Sequence, residues 1–190
     1  MSWRRILEII PKLILWCLLP AWIAAGFLDW ICHRRSNIAA RCGPWESIFH
    51  ILLLLEAGTA ILLGLFFELN EPALFVIFLC FLIHEATVYF DIRYAPVRRE
   101  ISPAEQRVHD FMTAIPVAVL SLVVVLKWGY ATNLVSQPSA IWTEPIRLKI
   151  QPLPPTQITG ILVGVLIGNA LPYLEELLRG IHYVRRARNR

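Results

Sequence analysis

Residues 29–50 read DWICHRRSNIAARCGPWESIFH, and the spacing inside this stretch decides the fold. Asp29 and His33 stand four residues apart where one apolar run ends, and Glu46 and His50 stand four apart where the next begins. Residues at that spacing lie one above the other on a helix face, so each pair aims a carboxylate and an imidazole in one direction. Working outward, the pairing recurs as His84 with Asp91 at the end of a third apolar run and as Glu105 with His109 at the start of a fourth. Ends and beginnings alternate. In an up-down-up-down bundle the four pairs therefore meet at one end, the geometry of a metal centre held by four helices.

Of the 190 residues, 57% are hydrophobic and 17% charged, with a mean hydropathy of +0.58. Those proportions exclude an ordinary soluble domain. Segments 13–31, 49–69, 72–92, 111–129 and 159–178 each approach the roughly 20 residues that a helix needs to span the hydrocarbon. The expectation is an all-α integral membrane protein, a single domain over 1–190. Within it, residues 1–12 form an interfacial helix that Pro11 ends, 13–129 a metal-binding bundle of four transmembrane helices, 130–158 an extracytoplasmic loop, 159–182 a fifth transmembrane helix and 183–190 a basic tail. The first apolar run is followed by Asp29, Arg34 and Arg35 rather than a small-residue cleavage site, so it reads as a span and not as a signal peptide.

Five spans put twelve of the 18 basic residues at the end that carries the pairs. The positive-inside rule then places that end in the cytoplasm, with Asn70 and residues 131–158 outside, in a membrane such as the bacterial inner membrane. A pI near 9.1 follows from the same residues. It suits anionic lipid and gives no ground for nucleic acid.

Local signals refine the plan. The connection Glu68–Pro72 is so short that the second and third spans must be antiparallel neighbours. Ser102 and Glu105 occupy both positions of a capping box, which sets capping against metal binding at Glu105. The Pro-rich loop carries Trp142 at the interface and an alternating IRLKI run suited to a hairpin. Gly160, Gly164 and Gly168 form a small-residue stripe for close helix approach, within the bundle or across a homodimer.

Candidate ligands are Asp29, His33, Glu46, His50, His84, Asp91, Glu105 and His109. Imidazole and carboxylate without convergent thiolate suit iron, manganese or zinc, and several carboxylates can bridge two divalent ions. Two iron ions are the first expectation. His84 lies about 10 Å along the helix from Asp91, so it is either a ligand backed by Glu56 or a buried partner of Glu56 with no metal. Tyr89, close to Asp91, is a candidate donor of a proton or electron. Arg93, Arg98, Arg99 and Arg107 are candidates to hold an anionic headgroup. Cys17, Cys32, Cys42 and Cys80 form no CxxC motif and suggest no structural disulfide.

This arrangement resembles the di-iron and di-manganese carboxylate four-helix bundles, among them ferritin-like proteins and membrane-bound quinol oxidases of the alternative-oxidase type. The likeness covers residues 29–109 and is one of chemistry: those proteins use Glu-x-x-His, whereas Glu46–His50 and Glu105–His109 enclose three residues. It implies a redox enzyme that uses dioxygen and an electron donor on a lipid-soluble or amphiphilic substrate. A zinc-dependent lipid hydrolase, a b-type cytochrome and a noncatalytic transporter or assembly protein are the alternatives.

Overall fold

A computed structural model describes residues 3–189; Met1, Ser2 and Arg190, at the ends of the expected interfacial helix and basic tail, lie outside the described residues. Helix α1 (Trp3–Leu13) continues through a π turn (Ile14–Leu18) into α2 (Leu19–Ser36). Pro11 thus does not end the first helix. One missing N–H is accommodated and the wider π turn carries the chain onward. After α3 (Ile38–Arg41) come α4 (Trp45–Phe66), α5 (Glu71–Tyr94), α6 (Pro103–Leu126), α7 (Trp128–Ser136), α8 (Pro155–Val165), a second π turn (Leu166–Ala170) and α9 (Leu171–Arg188).

Five of the described helices are long and apolar enough to cross a membrane: Trp3–Ser36, Trp45–Phe66, Glu71–Tyr94, Pro103–Leu126 and Pro155–Arg188. Their outward faces keep large apolar side chains uncovered, with Leu55 62%, Phe90 59% and Ile167 59% exposed. Such a continuous apolar surface suits lipid. Asn70 caps α5 through the Ala73 N–H, and Ser102 caps α6 through the Glu105 N–H. Helix α4 packs along α5, α2 along α6, and α9 against α2, α3 and α4. The fifth span is therefore a member of the bundle rather than an addition to it.

At the other end, residues 145–150 do not form a hairpin of their own. They lie across the end of α4, where Glu68 N–H donates to the Arg147 carbonyl at 2.8 Å and Lys149 N–H to the Phe66 carbonyl at 2.9 Å. Within the glycine stripe, a Cβ on Gly168 would meet Ile23 at 2.6 Å and one on Gly164 would meet it at 3.5 Å, so both glycines pack on α2 of the same chain.

Candidate metal centre

The turn between α2 and α4 creates the site. Asn37 ends α2 in the left-handed region (φ 53°, ψ 51°) with its N–H returned to the His33 carbonyl, and Gly43 is left-handed too (φ 63°). Asn and Gly are the residues that enter this region most readily. The reversal sets Asp29 and His33 beside Glu46 and His50. Helix α9 crosses it at backbone contact: a Cβ on Gly180 would lie 2.9 Å from the Gly43 carbonyl oxygen. Asn169, Tyr173, Glu176 and Gly180 form the buried stripe of this last span, and that stripe carries Glu176 into the centre.

Asp29, His33, Glu46, Glu105 and Glu176 are each at most 1% exposed. The Glu176 carboxylate holds two imidazoles, accepting from His33 Nδ1 at 3.0 Å and from His50 Nδ1 at 3.3 Å. Those rings stack, 4.7 Å between centroids and 11° from parallel. Their Nε2 atoms turn inward. His33 Nε2 lies 3.1 Å from Glu105, 3.5 Å from Asp29 Oδ1 and 3.6 Å from Glu46; His50 Nε2 lies 3.6 Å from Asp91 and 3.8 Å from Asp29 Oδ2. His109 Nε2 approaches Asp29 Oδ1 at 2.9 Å. Asp29 is thus central, one oxygen toward His33 and His109 and the other toward His50.

Arg99 reaches in from the α5–α6 connection, its Nη2 shared by Glu46 and Glu105 and its Nε 3.2 Å from Glu46. Burial opposes its charge, but the hydrogen bonds to Glu46 and Glu105 carry its pKa above the ordinary guanidinium value. Glu105 makes half of a capping box. Its N–H donates to Ser102 Oγ at 3.2 Å, while its carboxylate is taken by His33 and Arg99.

Among the described residues, two sets of donor atoms are close enough together to hold a metal ion: Asp29, His33, Glu105 and His109, and, sharing His33, the trio His33, His50 and Glu176. Charge favours occupation by cations. With neutral imidazoles, five carboxylates (Asp29, Glu46, Asp91, Glu105, Glu176) against the guanidinium of Arg99 leave four negative charges, the number that two divalent ions supply. Asp29 Oδ2, His33 Nε2 and Asp91 Oδ1 are buried without a hydrogen-bond partner. Orphaned acceptors in a site of excess negative charge are what a bound cation would satisfy. The second set has a further reading. Glu176 touches both rings at Nδ1, the position from which a carboxylate orients an imidazole whose Nε2 binds metal.

Comparisons with protein-family models, with curated proteins and with solved structures find no match. The chemistry therefore rests on the atoms themselves.

Seven of the eight expected ligands converge. His84 does not. Its Nδ1 lies 3.6 Å from Glu56 Oε2, and Thr87 donates to the other Glu56 oxygen at 2.8 Å. Two helical turns separate this group from Asp91, too far for a shared ion, so Glu56 partners His84 rather than supporting a ligand. Tyr89 points away from Asp91 on the outer face, 53% exposed and bonded to Arg93. The tyrosine at the centre is Tyr173, 3% exposed, its ring 5.2 Å from that of His50. Arg99 is committed to carboxylates and cannot hold a headgroup. Arg98 lies over the Tyr94 ring at 3.6 Å, and Arg107 pairs with Asp110 at 3.6 Å on the surface. Glu176 escapes a search for paired carboxylate and histidine because His182 is six residues beyond it. The signal that finds it is the Asn169/Tyr173/Glu176/Gly180 stripe, polar or small at core spacing in an apolar span.

Proposed function

We propose that this chain is a membrane-embedded dinuclear non-haem metal oxidoreductase, with iron as the metal, that uses dioxygen to oxidise a lipid-soluble or amphiphilic substrate at the cytoplasmic face. The observation that carries the reading is the convergence of seven paired residues and Glu176 from five apolar helices onto a buried centre in which five carboxylates face one guanidinium and three imidazoles. His33, Glu46, Glu105 and His109 would hold one ion and His50 and Asp91 the other, with Asp29 between them. Such a pair supplies, when bound, the electrons and open coordination that dioxygen chemistry needs.

The protein's own contribution is orientation and exclusion of water. Glu176 fixes both stacked imidazoles with Nδ1 protonated and Nε2 inward. Arg99 holds Glu46 and Glu105 at the rim. Tyr173 shields His50, its hydroxyl donating to the Gly26 carbonyl at 3.4 Å. Competing readings fare less well: two donor sets that share His33 exceed what one zinc ion would use, and His50 and His109 both turn Nε2 toward Asp29, at 3.8 and 2.9 Å, which leaves no slot for a haem between them.

Oxygen-electrode measurements on metal-free protein supplied with ferrous ion test the proposal. Uptake in proportion to the iron bound, lost in His33→Ala, is the expected result. A protein that takes a single zinc ion and consumes no dioxygen with iron would replace this reading by the hydrolase.

A further inference from the structure

An apolar cavity leads from the centre into the opposite half of the bundle. Beside the ligands it has a volume of about 90 Å³, walled in part by Asp29, His50, Asp91, His109 and Tyr173. A larger chamber of about 360 Å³, lined by residues such as Leu65, Ile77, Phe81, Val119 and Leu120, adjoins it. The two share Leu19, Trp22, Ala57, Ile61 and His84 as a common waist. The larger volume is on the scale of a small-molecule site.

The waist carries polar groups between apolar walls. His84 is 7% exposed and edge-on to Trp22 at 6.1 Å. His84 Nδ1 and Glu56 Oε2 are 3.6 Å apart, yet both are buried without a hydrogen-bond partner. A group able both to donate and to accept can satisfy the two together whichever of them carries a proton. A hydroxyl does this and a carbonyl cannot.

The far mouth argues for a neutral occupant. Lys149 and Lys127 line it, but Glu68 lines it too, the Lys149 amine donates to the Gly64 carbonyl, and Lys127 lies over the Tyr130 ring. Burial pushes the Lys149 amine below the usual lysine range. Glu68 and the Gly64 carbonyl thus offset part of the positive charge at this mouth.

We propose that the cavity binds a neutral single-chain lipid bearing a hydroxyl, with the hydroxyl bridging His84 and Glu56 and the chain in the larger chamber. The head then faces the smaller chamber and the metal ligands, which lie about 10 Å further along α4 and α5. The proposal goes beyond the oxidoreductase reading: it assigns a lipid to the cavity next to the ligands and does not depend on what happens at them.

Equilibrium binding of radiolabelled hexadecan-1-ol to the detergent-solubilised protein tests it, with the metal content of each sample measured in parallel. Saturable binding of one molecule per chain is expected, displaced by unlabelled alcohol but not by equal concentrations of hexadecane or hexadecanoate. His84→Leu and Glu56→Leu should each weaken it about tenfold, the loss of one buried hydrogen bond, with metal content unchanged. Glu56→Gln, which keeps a donor and an acceptor, should restore most of the affinity, and Ala57→Trp should abolish binding by filling the waist. Hexadecane competing as well as the alcohol, or undiminished binding in both leucine variants, would overturn the proposal. Metal-loaded protein without saturable binding would refute this site and leave the dinuclear reading standing; alcohol binding by protein that cannot take metal would do the reverse.

Discussion

At one end of the bundle five carboxylates surround His33, His50 and His109, with the charge of Arg99 set against them; two helical turns deeper, His84 faces a single carboxylate, that of Glu56, with Thr87 beside it. The residue types are the same, and both places lie inside the bundle. What differs is stoichiometry. Many carboxylates around few cations create a deficit that divalent ions can fill, whereas one imidazole and one carboxylate with an unmet hydrogen bond create a place for a hydroxyl. Histidine and glutamate in an apolar helix therefore do not by themselves mean metal.

Substitution at the centre should have the largest effect. Asp29→Ala removes the carboxylate placed between both ion positions and should lose nearly all bound metal, while His50→Ala and His109→Ala should each lose a large part, all read by elemental analysis of folded protein. His84→Leu should keep its metal. Loss at His84 equal to that at His50 would erase the distinction between the two regions and return His84 to the ligand set.

Glu176→Gln comes next, because it keeps the shape but weakens the hold on two Nδ1–H groups. Metal affinity should fall by about tenfold to a hundredfold, and a larger fall, equal to that of His50→Ala, would make Glu176 a ligand in its own right. Gly180→Ala should act at one remove. The added methyl meets the Gly43 and Pro44 backbone, so thermal unfolding should show a loss of about 1–3 kcal/mol together with weaker metal binding. Unchanged behaviour would mean that the close crossing of α9 does not position the site.

The smallest expected effects lie outside the centre. Burial, reinforced by Glu46, pushes the Cys42 thiol up to about 12. An acid with a raised pKa stays protonated until the pH approaches that value, so Cys42 should resist alkylation at pH 8.5 in the folded protein and react once it is unfolded. His182→Ala should leave metal content and stability as they are, since the side chain is exposed at the end of α9.

Much of this architecture was legible in the sequence. The i, i+4 spacing at Asp29/His33, Glu46/His50 and Glu105/His109 survives in three dimensions because a helix preserves it. Apolar runs gave the candidate spans for a related reason, since length and composition bound what a helix can cross. Arg99 and Glu176 were harder. Arg99 follows a turn whose path no periodicity records, and Glu176 reaches the site through a π turn and two glycine contacts that shift the face of the last helix. Pro11 misled because one lost hydrogen bond in a long apolar helix is tolerated where a π turn follows.

On the proposed reading the excess carboxylates hold two cations. Elemental analysis of purified, folded wild-type protein, normalised to chain concentration and repeated after incubation with ferrous ion and removal of excess, tests it most directly. Two metal ions per chain, lost in Asp29→Ala and kept in His84→Leu, are expected. Folded wild-type protein that binds no metal under either condition would contradict it.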